Sequence, residues 1–414
     1  MKDNLKKQFI WNTLGSGFYA FNSLFFMIIA TRINGVSNAG VFSLCFATAT
    51  IFYTVAVYSG RTYQVSENQS DIGDNEFIFN RFFLSAVMLV LAFSFGIING
   101  YTGKKMILLS VLCTVKFIEA ISDVLHGVLQ KNHRLDIVGK SLLIKSALYL
   151  FVFLIVDLFT KNIVLSSVSM IFLSAFVLVL YDYPAVLLYK DKSVKLNIKA
   201  SFKILTMGFY TFAFTFIANY LVNIPRYAID EVLNDEFLTI FGIIVMPASI
   251  ITLVGQFALQ PMVSRLNNYQ KNGEKRQFLK IISILSIVSV VTGLVAVITA
   301  YLIGIPVLNL LYGINLKEYL FDLVIIIIGA TVYSLACVFS NALTVLRKTR
   351  IEFVIYVFDT VIAIFLAKYL TGLFGFVGAV YSYLLTMAVL LLSLFLYFEF
   401  AVHKQINWSD SKDV

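Results

Sequence analysis

Apolar residues run along this chain in long stretches from end to end, separated by short polar gaps. A stretch such as Leu323 to Ala330 does not alternate polar and apolar positions, as a membrane-barrel strand of about ten residues does. The stretches instead have helical length, because about 20 apolar residues at 1.5 Å rise cross the hydrocarbon layer. Twelve spans are predicted: 9–31, 38–60, 82–100, 106–129, 138–158, 163–188, 203–224, 237–260, 281–303, 320–345, 352–371 and 376–401. The expected architecture is an all-α polytopic membrane protein of two six-helix bundles, residues 1–189 and 203–414. A basic linker, 190–202, joins them, and a short tail closes the chain.

Composition agrees. Of 414 residues, 59% are apolar and only 13% charged, with a mean hydropathy of +0.87. Soluble domains carry about a quarter charged residues, and a globule of this size in water has nowhere to hide so much apolar surface.

Charge sets the expected orientation. With the N-terminus in the cytoplasm, 23 of the 32 Lys and Arg fall in cytoplasmic segments, seven fall outside and two, Lys116 and Lys145, lie within spans. Such asymmetry is the positive-inside pattern, and it places both termini in the cytoplasm. The net charge of +9 is then a topology signal and gives no reason to invoke nucleic acid. The basic segment Met1–Lys7 precedes a span of about 23 residues with no small-residue cleavage site, so that span is expected to be retained.

Several chemistries are set aside. Cys45, Cys113 and Cys337 are isolated within spans and read as small apolar residues. His126, His133 and His403 form no ligand set. The sequon Asn68-Gln69-Ser70 falls in a loop placed in the cytoplasm. Neither phosphate loop, dinucleotide fingerprint nor nucleophile elbow is present, and the outer gaps are short. An enzyme is therefore not expected, nor a cofactor.

A weak internal repeat is visible. GFYAFNSLFFMIIATRI from Gly17 aligns with GFYTFAFTFIANYLVNI from Gly208, VFSLCFATATIF from Val41 with IFGIIVMPASII from Ile240, and QVSENQ from Gln64 with MVSRLNN from Met262. With six spans per half, such a repeat is parallel. The alternative is chance likeness among apolar helices.

Four segments carry a family resemblance. Asn12 is followed by a turn bearing Arg32, Gly35 and Gly40. The stretch 257–278 couples Pro261 to a basic loop, LLYGIN stands at 310–315, and LTGLFGFVGAVYSYLL opens the last span at 370–385. In these the sequence resembles the Wzx-type polysaccharide flippases, within the superfamily of multidrug, oligosaccharidyl-lipid and polysaccharide exporters. It departs from them at Ile33-Asn34-Gly35, where the family has Leu-Gly, and in the second-half turn RYAIDEVLNDEF, which lacks glycines. The resemblance implies two MATE-like bundles with alternating access. It also implies flipping of undecaprenyl-pyrophosphate-linked repeat units, for O-antigen, lipopolysaccharide or capsule, to the outer leaflet of a bacterial inner membrane. The implied energy source is an H+ or Na+ gradient. The implied partners are the lipid-linked oligosaccharide, membrane lipids, a glycan polymerase and a chain-length regulator.

Candidate site residues follow from charge at depth. Lys116, Glu119 and Asp123 share one helix face, at i, i+3 and i+7. Lys116 lies about 15 Å deep, where an uncompensated charge costs at least ~2.5–3.5 kcal/mol. This face either lines a cavity for anionic cargo or is a buried pair holding helices together. Lys145 either lines the cavity or snorkels to the surface. Arg32 and Arg226 sit at the outer mouth as cargo ligands or ordinary interface residues, Arg226 with Asp230 or Glu231 as partner. Arg61 and Arg265, closing two spans on the inner side, suit phosphate or serve as anchors. Glu119, Asp123 and Asp359 are the coupling candidates, with salt bridging as the other reading, while Asp182 reads as a cap. The abundant aromatics read as belts and packing. Pro225, Pro247, Pro261 and Pro306 mark kinks or helix ends, and Gly372, Gly375 and Gly378 a packing stripe.

Two rival functions remain. A drug or organic-cation antiporter favours an acidic cavity, whereas Lys116 and the mouth arginines favour an anionic ligand. A membrane glycan polymerase needs an outer catalytic loop. Lipid II flipping lies close to the first reading, though those flippases carry two further C-terminal helices.

Overall fold

The computed structural model describes residues 2–58, 60–66, 72–189 and 196–404. The sequon at 68–70, the linker residues 190–195 and the tail beyond 404 lie outside the described residues. The described chain is helical throughout, in the order α1 (Lys2–Asn34), α2 (Val36–Val57), α3 (Gly60–Ser66), α4 (Asp74–Ile98), α5 (Gly103–Lys131), α6 (Leu135–Thr160) and α7 (Ile163–Val177). A π turn, Leu178–Asp182, leads into α8 (Tyr183–Leu187). Then come α9 (Ile198–Val232), α10 (Asp235–Lys271), α11 (Lys275–Thr299), a second π turn (Ala300–Gly304), α12 (Ile305–Tyr312), α13 (Leu320–Val345) and α14 (Thr349–Lys404).

Among the described residues, ten helices are long and apolar enough to cross a membrane. α5 is not one of them, though it is 29 residues long. What sets it apart is the trio of charges in its middle. α14 counts once but holds two of the expected spans, because its 56 residues are broken at Gly375, where φ is 61° and ψ −137°. That conformation strains a residue carrying a Cβ. Gly375 is therefore the corner between two spans, which corrects the stripe reading. Gly372 has open space where a Cβ would stand, and a Cβ on Gly378 would strike the backbone at Leu370. Helices also run past their expected ends: α9 reaches Val232 and α10 Lys271.

The chain divides into two compact units, 1–216 and 217–414. The division falls within α9, whereas the sequence reading put it at the 190–202 linker. The first turns of α9 are tied to unit 1 by hydrogen bonds. Asn80 donates to the Ser201 carbonyl at 2.6 Å, the Asn197 N–H donates to Glu76 at 2.7 Å, and the Tyr58 hydroxyl donates to the Leu205 carbonyl at 2.7 Å.

In unit 1, α5 is the central helix and packs on α2, α4 and α7. α1 lies along α6 at an approach so close that a Cβ on Gly15 would strike the backbone of Gly139, and one on Gly139 that of Trp11. Small residues permit this kind of membrane-helix contact. In unit 2 the corresponding central helix is α13, which packs on α10, α11 and α14. The two central helices differ in chemistry. α5 buries Lys116, Glu119 and His126, whereas the one charged residue buried on α13 is Asp322, in its first turn.

Both π turns precede a proline in the next short helix, Pro184 in α8 and Pro306 in α12. Proline has no N–H to donate, and a turn widened to i→i+5 absorbs the break. The Tyr183 N–H reaches back to the Leu178 carbonyl in this way.

Candidate functional site

The chemistry of unit 1 gathers around α5. Lys116 Nζ donates to Glu119 Oε2 at 2.8 Å, and the Tyr19 hydroxyl of α1 donates to the same oxygen at 2.6 Å. Three rings surround the ammonium, with centres 5.1 Å away at Phe46, 5.5 Å at Tyr53 and 5.9 Å at Tyr19. Ring quadrupoles attract a cation at such range, and a charge buried away from water persists only with partners. A wall of rings backs the site: Phe26 meets Phe153 tilted, with centres 5.0 Å apart, and Phe42 stacks on Phe46 at 5.7 Å.

One turn deeper along α5, Asp123 pairs with Arg61 at 3.5 Å and Arg81 at 3.3 Å. Lys116 takes Glu119 as its ion-pair partner, and Asp123 takes the two arginines. Arg81, one of the 23 cations assigned to cytoplasmic segments, lies inside α4 and is buried, donating also to the Ala56 carbonyl.

A third group lies where α5, α6 and the first π turn meet. Asp182 accepts from Ser141 at 2.5 Å, lies 3.1 Å from His126 Nε2 and 3.5 Å from Lys145 Nζ. Lys145 donates to Ser122 at 2.8 Å. Asp182 makes no side-chain capping bond, so it is the anionic centre of a buried knot. Lys145 is only 2% exposed, which removes the snorkelling alternative.

Two cavities adjoin these groups. One, of about 190 Å³, is walled by Asn22, Phe26, Phe46, Lys116 and Tyr149. The other, of about 220 Å³, is bounded by Tyr53, Arg61, Asp123, His126 and Lys145. Tyr19 and Glu119 face both. Around them stand four formally cationic side chains, Arg61, Arg81, Lys116 and Lys145, against three carboxylates, Glu119, Asp123 and Asp182. The surplus is positive.

Lys116, Glu119, Asp123, Lys145 and Arg61 are thus brought together. Arg32 is exposed at the end of α1, and Arg265 is exposed on α10. Arg226 is buried in unit 2 with its guanidinium 6.0 Å from the Phe241 ring centre, while Glu231, one of its expected partners, pairs with Lys368. Asp359, also in unit 2, is buried and accepts from Ser393 at 3.1 Å. The sequence reading did not single out Tyr19, Tyr53 or Asn22, set His126 aside with the other histidines, and left Arg81 among the cytoplasmic cations. It also missed Glu352, fully buried in unit 2 and accepting from Ser340 and from Thr344 at 3.0 Å. Its signal was a carboxylate just inside the eleventh span.

The fold is that of transporters of the MOP superfamily. An inward-facing multidrug-resistance MATE family transporter of that superfamily matches with a TM-score of 0.71 at 14% identity, covering 96% of each chain. The lipid II flippase MurJ, in an inward closed conformation, matches with a TM-score of 0.69 at 13% identity, covering 94% of this chain and 87% of its own. In sequence the chain is similar to the capsular polysaccharide biosynthesis protein CapF of Staphylococcus aureus. The two are 25% identical over 336 residues, 79% of this chain and 81% of CapF. No family model matches. The superfamily resemblance read from the sequence is thereby borne out, and the chain is a multi-pass membrane protein with a transporter fold.

Proposed function

We propose that this protein flips a lipid-linked oligosaccharide, carried on undecaprenyl pyrophosphate, from the cytoplasmic to the outer leaflet of a bacterial cytoplasmic membrane. The observation that carries the reading is the similarity to CapF across four fifths of both chains. The surplus of cations around the unit 1 cavities supports it, since saccharide and pyrophosphate are both too polar to cross hydrocarbon unaided. Arginine forks and lysine ammonium groups complement phosphate oxygens. Alternating access driven by an H+ or Na+ gradient completes the proposal, with Glu119, Asp123 and Asp359 as the carboxylates assigned to the coupling ion. Buried acids in membrane spans are costly and mark ion pathways.

The likeness to MATE folds keeps an organic-cation exporter as the competing reading. Deletion of the gene separates the two. Flipping predicts lipid-linked oligosaccharide accumulating on the cytoplasmic leaflet and loss of surface glycan. Normal glycan together with raised sensitivity to cationic drugs overturns it.

A further inference from the structure

The 190 Å³ cavity holds one polar side chain that differs from its neighbours. Tyr19 donates to Glu119, Lys116 is paired with Glu119, Tyr149 is bonded to Ser174, and Thr50 donates to the Phe46 carbonyl at 2.8 Å. Asn22 lines the same cavity, is 4% exposed, and has no hydrogen-bond partner for either amide atom among the described residues. A buried amide left unbonded costs free energy, so its place in the middle of a membrane helix calls for a ligand. The fold does not require it: in the aligned stretch of the second half, Ala213 stands where Asn22 does.

We propose that this cavity is the seat of a single sugar ring of the cargo, with Asn22 as the residue that reads it. This rests on the lipid-linked saccharide reading above. The size is that of one ring and no more: an engineered cavity of about 150 Å³ admits a benzene ring, and this one is of about 190 Å³. The lining fits as well. Most of it is apolar, with Phe26, Phe46 and Tyr19 offering faces to the C–H side of a ring and a few polar groups fixing orientation, as in small-ligand sites generally. The amide of Asn22 supplies a donor and an acceptor together, the pairing that adjacent hydroxyls or an N-acetyl group on a sugar complement. Lys116 and Glu119 border the same space and add one donor and one acceptor set beside it.

The test uses the full chain in lipid nanodiscs with two probes, farnesyl diphosphate and farnesyl diphosphate bearing one N-acetylhexosamine. Asn22→Leu keeps the γ-branched shape and removes the amide, and Asn22→Ala, which leaves the cavity open, controls for the added bulk of leucine. Both are expected to weaken binding of the glycosylated probe by about tenfold, the loss of two ordinary hydrogen bonds. Binding of the bare diphosphate is expected to stay as in the wild type, and the melting temperature to hold or rise, because an unbonded amide has been removed. Equal binding of the glycosylated probe by wild type and variants overturns the proposal. So does a parallel loss of both probes, or a falling melting temperature, either of which makes Asn22 a structural residue. If the wild type binds neither probe, the cargo reading falls with it; if it binds both and the variants do not discriminate, only the sugar seat falls.

Discussion

At the scale of single residues, unit 1 shows how charge survives inside a membrane protein. Each cation near the cavities has a carboxylate within 3.5 Å, and each carboxylate has hydroxyl or cationic neighbours. Partners are not equally important. Arg81 is 4% exposed and Asp123 is its anion, whereas the Arg61 side chain is 28% exposed. Asp123→Ala leaves a guanidinium buried without its carboxylate, a change that costs about 3–5 kcal/mol. Arg61→Ala should cost under about 1 kcal/mol, as exposed pairs do. Thermal melts in lipid nanodiscs check the order, and equal melts for the two variants contradict it. The sequence shows the α5 trio because charge in an apolar run stands out at once. Arg81 and Asp182 were hidden because they lie near span ends, where a charge is unremarkable and only tertiary contact decides its fate. Asn22 was hidden for a different reason: amides and hydroxyls recur along α1, and only the fold shows which of them lines a cavity without a partner.

At the scale of elements, length and apolarity made the twelve spans readable, since a crossing helix must be long and unbroken. The joins were less readable. The eleventh and twelfth spans merge into α14 around Gly375, whose positive φ is invisible to hydropathy. Gly375→Ala is expected to cost about 1–2 kcal/mol through left-handed strain, while Gly372→Ala, with open space at its Cβ, should be neutral. Equal melting temperatures for the two variants would remove the corner assignment. The close crossing of α1 and α6 bears on the site directly, since Ser16 and Tyr19 face the cavities just beyond Gly15. Gly139→Leu should force these helices apart and withdraw the Tyr19 hydroxyl from Glu119. Transport is expected to fall while membrane insertion persists; full transport with normal insertion contradicts the positioning role of that crossing.

At the scale of the whole molecule, the two units share an all-helical plan but not a chemistry. The ion-paired cavities belong to unit 1, and unit 2 buries Glu352 and Asp359 among hydroxyl donors. Of the carboxylates proposed for the coupling ion, Glu119 and Asp123 stand beside the unit 1 cavities and Asp359 stands in unit 2. The basic residues predict both termini in the cytoplasm, so a membrane-impermeant thiol reagent on intact cells should label a cysteine placed at Lys104 and spare one placed at Arg276 until the cells are opened; the reverse pattern contradicts that orientation. The central claim, that the α5 charges carry an anionic glycolipid, meets its most direct test in liposomes. Purified protein is reconstituted with a fluorescent prenyl-diphosphate-linked saccharide, and its arrival in the opposite leaflet is timed for wild type and Lys116→Gln. The account predicts transfer well above protein-free liposomes for the wild type, and for the variant a rate lower by at least about tenfold, the loss of one charge-assisted contact to phosphate. Equal rates for the two proteins, or a wild type no faster than bare lipid, would contradict it.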